Sequence, residues 1–235
     1  MNDARESAKA PSQKKSFDHI LGQHYTVFDG LAGMHVEDIY QDRNGLLWIA
    51  TADGGVSRFD GVHFDTFGLS NGMPHLTVMT VAEDQDGQLL FGTLGGGLAA
   101  YNGRSFQVYT TEHGLPSNKI LSLQPQTDGS MRVLTDAGVG RFADGQCVEC
   151  VTDIEGQPLG AVYDIATDAA GTTWLATRER GVISLDGRHL SADSSAENGA
   201  MQWPWKFAQG TSGPLWIAFR YVGTEPVIGL SLIHI

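Results

Sequence analysis

Asp42-Arg43-Asn44-Gly45-Leu46-Leu47-Trp48-Ile49-Ala50-Thr51 reads as a polar turn running into a short apolar strand, and the chain keeps returning to it. Its glycine recurs as Gly45, Gly87, Gly129, Gly171 and Gly213, each step 42 residues. Its threonine recurs as Thr51, Thr93, Thr135 and Thr177 and gives way only at Phe219. A period in the low forties with strand-like content is the spacing of a propeller blade, a unit that cannot bury its faces alone and stacks on its neighbours. The expected fold is all-β: a β-propeller of 42-residue, four-stranded antiparallel blades, four full and a fifth partial.

Outward from this stretch, Val36 to Gln41 alternates like a strand, Ala52-Asp53-Gly54-Gly55 turns, and Val56 to Phe59 forms a third strand. Asp60-Gly61 is a tight turn, and His63 to Phe67 closes the blade. Short strands separated by Asn-Gly, Gly-Gly and Asp-Gly make a meander of hairpins. The second repeat copies this from Val78 to Tyr109, and the fourth restores the tryptophan as Trp174. In the third, Arg132 stands where Trp48 stood, so that blade lacks its aromatic anchor. The fifth opens with Trp203-Pro204-Trp205-Lys206-Phe207, and its pattern is lost after Ala218. The reading divides the chain into a polar, disordered leader over 1–22, propeller repeats over 23–228, and a foreign or truncated tail over 229–235. The whole is expected to be a fragment.

Thirty glycines fall at the periodic turns, where positive φ is needed. A formal net charge of −12 offers no basic face and argues against nucleic-acid binding. No run of 18 apolar residues suggests a membrane helix, and Met1 to Lys15 lacks the apolar core of a signal peptide. The eight histidines include no HExxH or similar ligand spacing, and there is no GxSxG, P-loop or dinucleotide fingerprint. No catalytic residue, metal ligand or cofactor is assigned. Cys147-Val148-Glu149-Cys150 is a CxxC, but it falls in an expected strand, where residues three apart face opposite sides. Both are read as ordinary strand cysteines.

Because strand direction alternates, the first and third turns of each blade share one end of the propeller. The second turn and the blade-to-blade connection share the other. The first set is short and uniform; the second varies, and variation on one face of a repeat array marks the usual binding face. The ligand-binding candidates there are Asp53, His75, Asn118, Lys119, Asp136, Arg178, Arg180 and Trp203, with Leu94, Glu179 and Trp205 beside them.

The unit Asp-x-x-Gly-x-x-Trp-Ile-x-Thr-x-x-Gly-Gly-Val-x-Arg-Phe-Asp-Gly, complete in Asp42 to Gly61, resembles the two-component regulator propeller repeat. Asp29-Gly30-Leu31 and His113-Gly114-Leu115-Pro116-Ser117-Asn118 resemble the segment that precedes each blade in that family. The resemblance spans roughly Tyr25 to Ala218. It implies a non-enzymatic, ligand-sensing input module of a bacterial histidine kinase or diguanylate cyclase, often answering to glycans, on the periplasmic side of the inner membrane. A kinase or cyclase output region would lie outside this chain. An alternative is a stand-alone propeller lyase or hydrolase similar to the streptogramin lyases. That would need His75 and His113 to converge with Asp53 or Asp136 on a divalent metal. A protein-interaction scaffold is a third reading.

Overall fold

Asp42 makes the turn that the sequence repeats. Its Oδ1 accepts hydrogen bonds from the backbone N–H groups of Asn44 (2.9 Å) and Leu46 (3.0 Å), and Gly45 takes φ +84°. Its Oδ2 accepts the indole N–H of Trp48 at 2.9 Å. One buried carboxylate therefore fixes both the turn and the ring that follows it. Asp168 repeats the arrangement with Ala170, Thr172 and, at 2.8 Å, the Trp174 indole. Asp84 keeps only the turn, because Leu90 stands in the tryptophan position.

The computed structural model describes residues 24–190, 201–209 and 215–222. The leader over 1–22 and the tail over 229–235 lie outside the described residues. Four antiparallel four-stranded sheets follow one another, each in simple meander order. The first holds β1 (Val36–Gln41), β2 (Leu47–Thr51), β3 (Gly55–Phe59) and β4 (Phe64–Phe67). The second holds β5 (Val78–Glu83), β6 (Leu89–Thr93), β7 (Leu98–Tyr101) and β8 (Phe106–Tyr109). The third holds β9 (Ile120–Pro125), β10 (Met131–Thr135), β11 (Gly138–Ala143) and β12 (Gln146–Val151). A small hairpin of β13 (Asp153–Ile154) and β14 (Gln157–Pro158) leads to the fourth blade: β15 (Val162–Thr167), β16 (Thr173–Thr177), β17 (Gly181–Ser184) and β18 (His189–Leu190). A two-stranded fifth sheet pairs β19 (Met201–Gln209) with β20 (Leu215–Val222). The pattern expected to end at Ala218 therefore continues as strand to Val222, because Phe219, Arg220, Tyr221 and Val222 keep their backbone pairing with β19.

The core lies between the blades. Alternation along the second strand of each blade sends Trp48 into the interface of blades one and two, where it is 2 % exposed and meets Phe91 from the next blade. Leu90 serves the next interface with Val133, and Trp174 serves the last with Leu215 and Ile217. Full burial of each such side chain is worth about 1.5–3 kcal/mol. Arg132 cannot serve in this way. The interface of blades three and four instead takes Ile154 from the β13–β14 hairpin and the fully buried Leu159 just after it. Blade one is also clamped to blade two at the turn end, where Arg43 Nε lies 2.6 Å from the buried Glu83 carboxylate.

One expectation about side-chain direction is overturned. In the β11–β12 pairing Cys147 faces Phe142, Glu149 faces Arg141 and Cys150 faces Gly140, so Val148 is an extra residue that breaks the register. A bulge shifts the alternation by one. Cys147 and Cys150 therefore lie on the same face of β12, not on opposite faces.

Candidate functional site

The first strand of every blade is the inner one. β1, β5, β9, β15 and β19 follow one another around the axis as packed neighbours. Each breaks register at the same place in the repeat: Glu37, Met79, Leu121, Tyr163 and Trp205 are skipped in the pairing with the second strand. These residues stand 42 apart. A bulged residue is released from the ladder and re-aimed, and here all five line one cavity of about 340 Å³ on the axis. Met79, Leu121, Tyr163 and Trp205 are half-buried and Glu37 is exposed. The Tyr163 and Trp205 rings lie 4.7 Å apart, tilted by 40°, and make an aromatic wall.

The next residues, Asp38, Thr80, Ser122, Asp164 and Lys206, form a polar ring. Asp38 accepts the Val81 backbone N–H at 2.9 Å, and Asp164 accepts that of Phe207 at 2.7 Å, so each carboxylate ties its blade to the following one. Asp164 also accepts from Gln124 Nε2 at 2.6 Å and has Lys206 Nζ at 3.9 Å. Burial is the main influence on Asp164 and raises its pKa above the ordinary value, while the Lys206 charge and the hydrogen bonds oppose the rise. A carboxyl raised in the folded state contributes stability that is complete below its unfolded pKa and is lost as pH climbs through the folded one. Lys206→Met removes an opposing charge. It should move the Asp164 titration to higher pH and widen the window over which stability falls, as read by carbon NMR of the carboxyl group. A downward move would contradict the placement of Lys206.

The residues singled out from the sequence lie at the end of the propeller where the inner strands begin. Lys119 precedes Leu121 by two residues, and its ammonium lies 3.4 Å from Asp136. Asn118 holds the neighbouring turn, its carbonyl accepting from Gly95 and Gly97 and its Oδ1 from Thr111 N–H. Leu94 pairs with Lys119, and the His75 ring lies against Gly95 with Nδ1 accepting from Thr77 N–H. These form one sector of the rim. Asp53 lies in another sector and meets His35 at 3.4 Å. Arg178 N–H donates to Ala161, and Glu179 accepts from the same residue's N–H. Arg180 turns toward the small hairpin, donating to the carbonyls of Ile154 and Gln157, and lies 3.2 Å from His189 Nε2. The Trp203 backbone is part of β19, and its side chain lies outside the described residues. His113 packs on Tyr109, whereas Asp53 and Asp136 pair with His35 and Lys119.

The cavity residues Glu37, Met79, Leu121, Tyr163 and Lys206, and Asp164 beside them, were missed by sequence reasoning. The 42-residue step applied to the inner strand instead of the turns would have aligned them. A second cleft, about 420 Å³, opens at the turn end between blades two and three. There Arg141 is committed to Asp128 and Glu149, and Asp128 to Ser130.

A family model described as two component regulator propeller matches residues 30–53. Those residues match a two-component regulator propeller repeat. The regulator repeat thus covers the end of the segment before blade one, its inner strand with Glu37 and Asp38, and the Asp42–Trp48 lock. The fold is also that of solved propellers. The extracellular domain of a hybrid two-component system from B. thetaiotaomicron superposes with TM-score 0.64 at 20% identity, over 86% of this chain and 35% of that one. A second such domain from the same organism gives 0.61 at 19% identity, over 79% and 28%. The virginiamycin B lyase of Staphylococcus aureus gives 0.59 at 15% identity, over 85% and 71%. This chain therefore spans about a third of the length of the two extracellular domains. No curated protein matches its sequence. Among the described residues no helix is long and apolar enough to cross a membrane.

Proposed function

We propose that this chain is a non-enzymatic, ligand-sensing propeller module of a bacterial signal-transduction protein, binding its ligand at the mouth of the axial channel. The observation that carries this reading is the set of five bulges, which aim Glu37, Met79, Leu121, Tyr163 and Trp205 into one cavity. A uniform scaffold presenting five different side chains at one repeat position is the arrangement of a recognition surface. The regulator repeat and the likeness to extracellular sensor domains support the signalling role, with the propeller on the periplasmic side and a kinase or cyclase as its output partner.

The lining suggests the ligand's chemistry. The Tyr163–Trp205 wall offers an apolar face to a sugar ring, while Glu37 and Lys206 offer an acceptor and a donor to its hydroxyls. The probe is a panel of neutral oligosaccharides, with binding read by calorimetry and the mixture then analysed for products. Trp205→Ala and Tyr163→Ala should each weaken the best binder about tenfold, or roughly 1.4 kcal/mol. Unchanged affinity in both variants would remove the channel as the site. Conversion of the sugar would replace the sensor reading with the lyase or hydrolase one.

A further inference from the structure

The bulge at Val148 places two thiols together. Phe142 and Gly140, the partners of Cys147 and Cys150, are two residues apart on β11 and so share a face. Gly140 leaves the space that the sulfurs use: a Cβ there would lie 2.7 Å from Cys147 Sγ. Cys150 Sγ lies 3.0 Å from the Gly114 carbonyl, and a Cβ on Gly114 would lie 3.4 Å from Cys147 Cβ. Both side chains therefore occupy one groove between two glycines, with Cys147 Sγ donating to the Glu149 carbonyl at 3.2 Å. Cys150 is exposed and Cys147 half-buried, so solvent reaches the pair.

The backbone spacing is compatible with a covalent bond. Three residues of regular strand span about 10 Å, whereas the two-residue step that this bulge enforces spans roughly 6.7 Å. Disulfides accept Cα separations of about 4.4–6.8 Å. Among the described residues no third His, Cys, Asp or Glu joins the pair to complete a metal site.

We propose that Cys147 and Cys150 form a reversible dithiol–disulfide site, closed by exchange with a low-molecular-weight disulfide. One thiolate of the pair attacks a sulfur of the small disulfide and releases one small thiol. The second thiolate attacks the resulting mixed disulfide and releases another. Two protein thiols and one small disulfide thus become one protein disulfide and two small thiols, and excess small thiol reverses both steps. Both steps run through thiolates, so closure accelerates as pH rises through the neutral range.

The test uses the full chain with glutathione disulfide, in native buffer and in urea, acid-quenched and read by intact mass. The wild type should lose two hydrogens and keep no adduct. C147S and C150S should each stop at the glutathione adduct. Any unfolded CxxC can close, so the native rate is the deciding quantity. It should equal or exceed the rate in urea, because the fold already holds the thiols on one face. Closure more than about tenfold slower in native buffer than in urea, or a persistent adduct on the native wild type, would overturn the proposal.

Discussion

Trp48→Ala should lower the unfolding free energy by about 3–5 kcal/mol, the range for removing a large aromatic side chain from a core. The site has no means of closing over the loss. Trp48 is 2 % exposed and is surrounded by the rings of Phe67 and Phe91, both at 5.5 Å, and of Tyr101 at 5.8 Å. Those rings belong to two blades, so collapse around the void would require one blade to slide on the other. The change also strips Asp42 Oδ2 of its indole donor while its Oδ1 still holds the turn. Trp48→Phe shifts the balance between the two effects: it loses the hydrogen bond entirely but leaves a much smaller void, and should cost about 1–3 kcal/mol. Urea unfolding followed by circular dichroism reads both variants. A loss below about 1 kcal/mol for the alanine variant would mean that the blade interface does not depend on this side chain.

What was legible in the sequence was local. Asp42, Asn44 and Gly45 make their turn through contacts within five residues, and the same chemistry at Asp84 and Asp168 marks the same place in later blades. Strand order followed directly, since turns this short allow only neighbouring antiparallel strands. The illegible part depended on parity. A bulge adds one residue and reverses which side chains face which way, and nothing in Cys147-Val148-Glu149-Cys150 marks Val148 as the extra one. The same reversal at Glu37, Met79, Leu121, Tyr163 and Trp205 hid the channel lining behind what read as plain alternation. Arg132 was read correctly as a missing anchor. Its replacement, Ile154 with Leu159, comes from a hairpin between repeats, which a repeat comparison passes over. The rim candidates were found by their variability, and several are occupied with the loops themselves: Asn118 caps two turns and Arg180 holds a hairpin.

Gly97→Ala should cost about 3 kcal/mol or more, and the reason is a backbone contact in addition to a backbone angle. Gly97 has φ +80°, which alone makes alanine unfavourable by about 1–2 kcal/mol. Its Cα also faces the fourth strand of its own blade, where an added Cβ would lie 2.2 Å from the Tyr109 carbonyl oxygen. That oxygen cannot swing aside as a side chain could, because Tyr109 is paired with Leu98 in the β7–β8 ladder. Relief would have to come from parting the two strands or from opening the turn, whose hydrogen bonds from Thr93 to Gly97 and from Gly97 to Asn118 hold it shut. Gly103→Ala is the control. It has φ +90° and nothing within 4 Å of an added Cβ, so it should show the cost of the angle alone, about 1–2 kcal/mol. The difference between the two urea midpoints isolates the contact. Equal midpoints would mean that φ sets the requirement for glycine here. A clear gap would extend to Gly55 and Gly138, where an added Cβ would lie 2.2 Å and 2.3 Å from the carbonyls of Phe67 and Val151. In that case, close approach of the fourth strand to the second turn is what keeps glycine at this point in the first three blades, whereas Gly181 of the fourth, with φ +68° and nothing within 4 Å of an added Cβ, is kept by its angle alone.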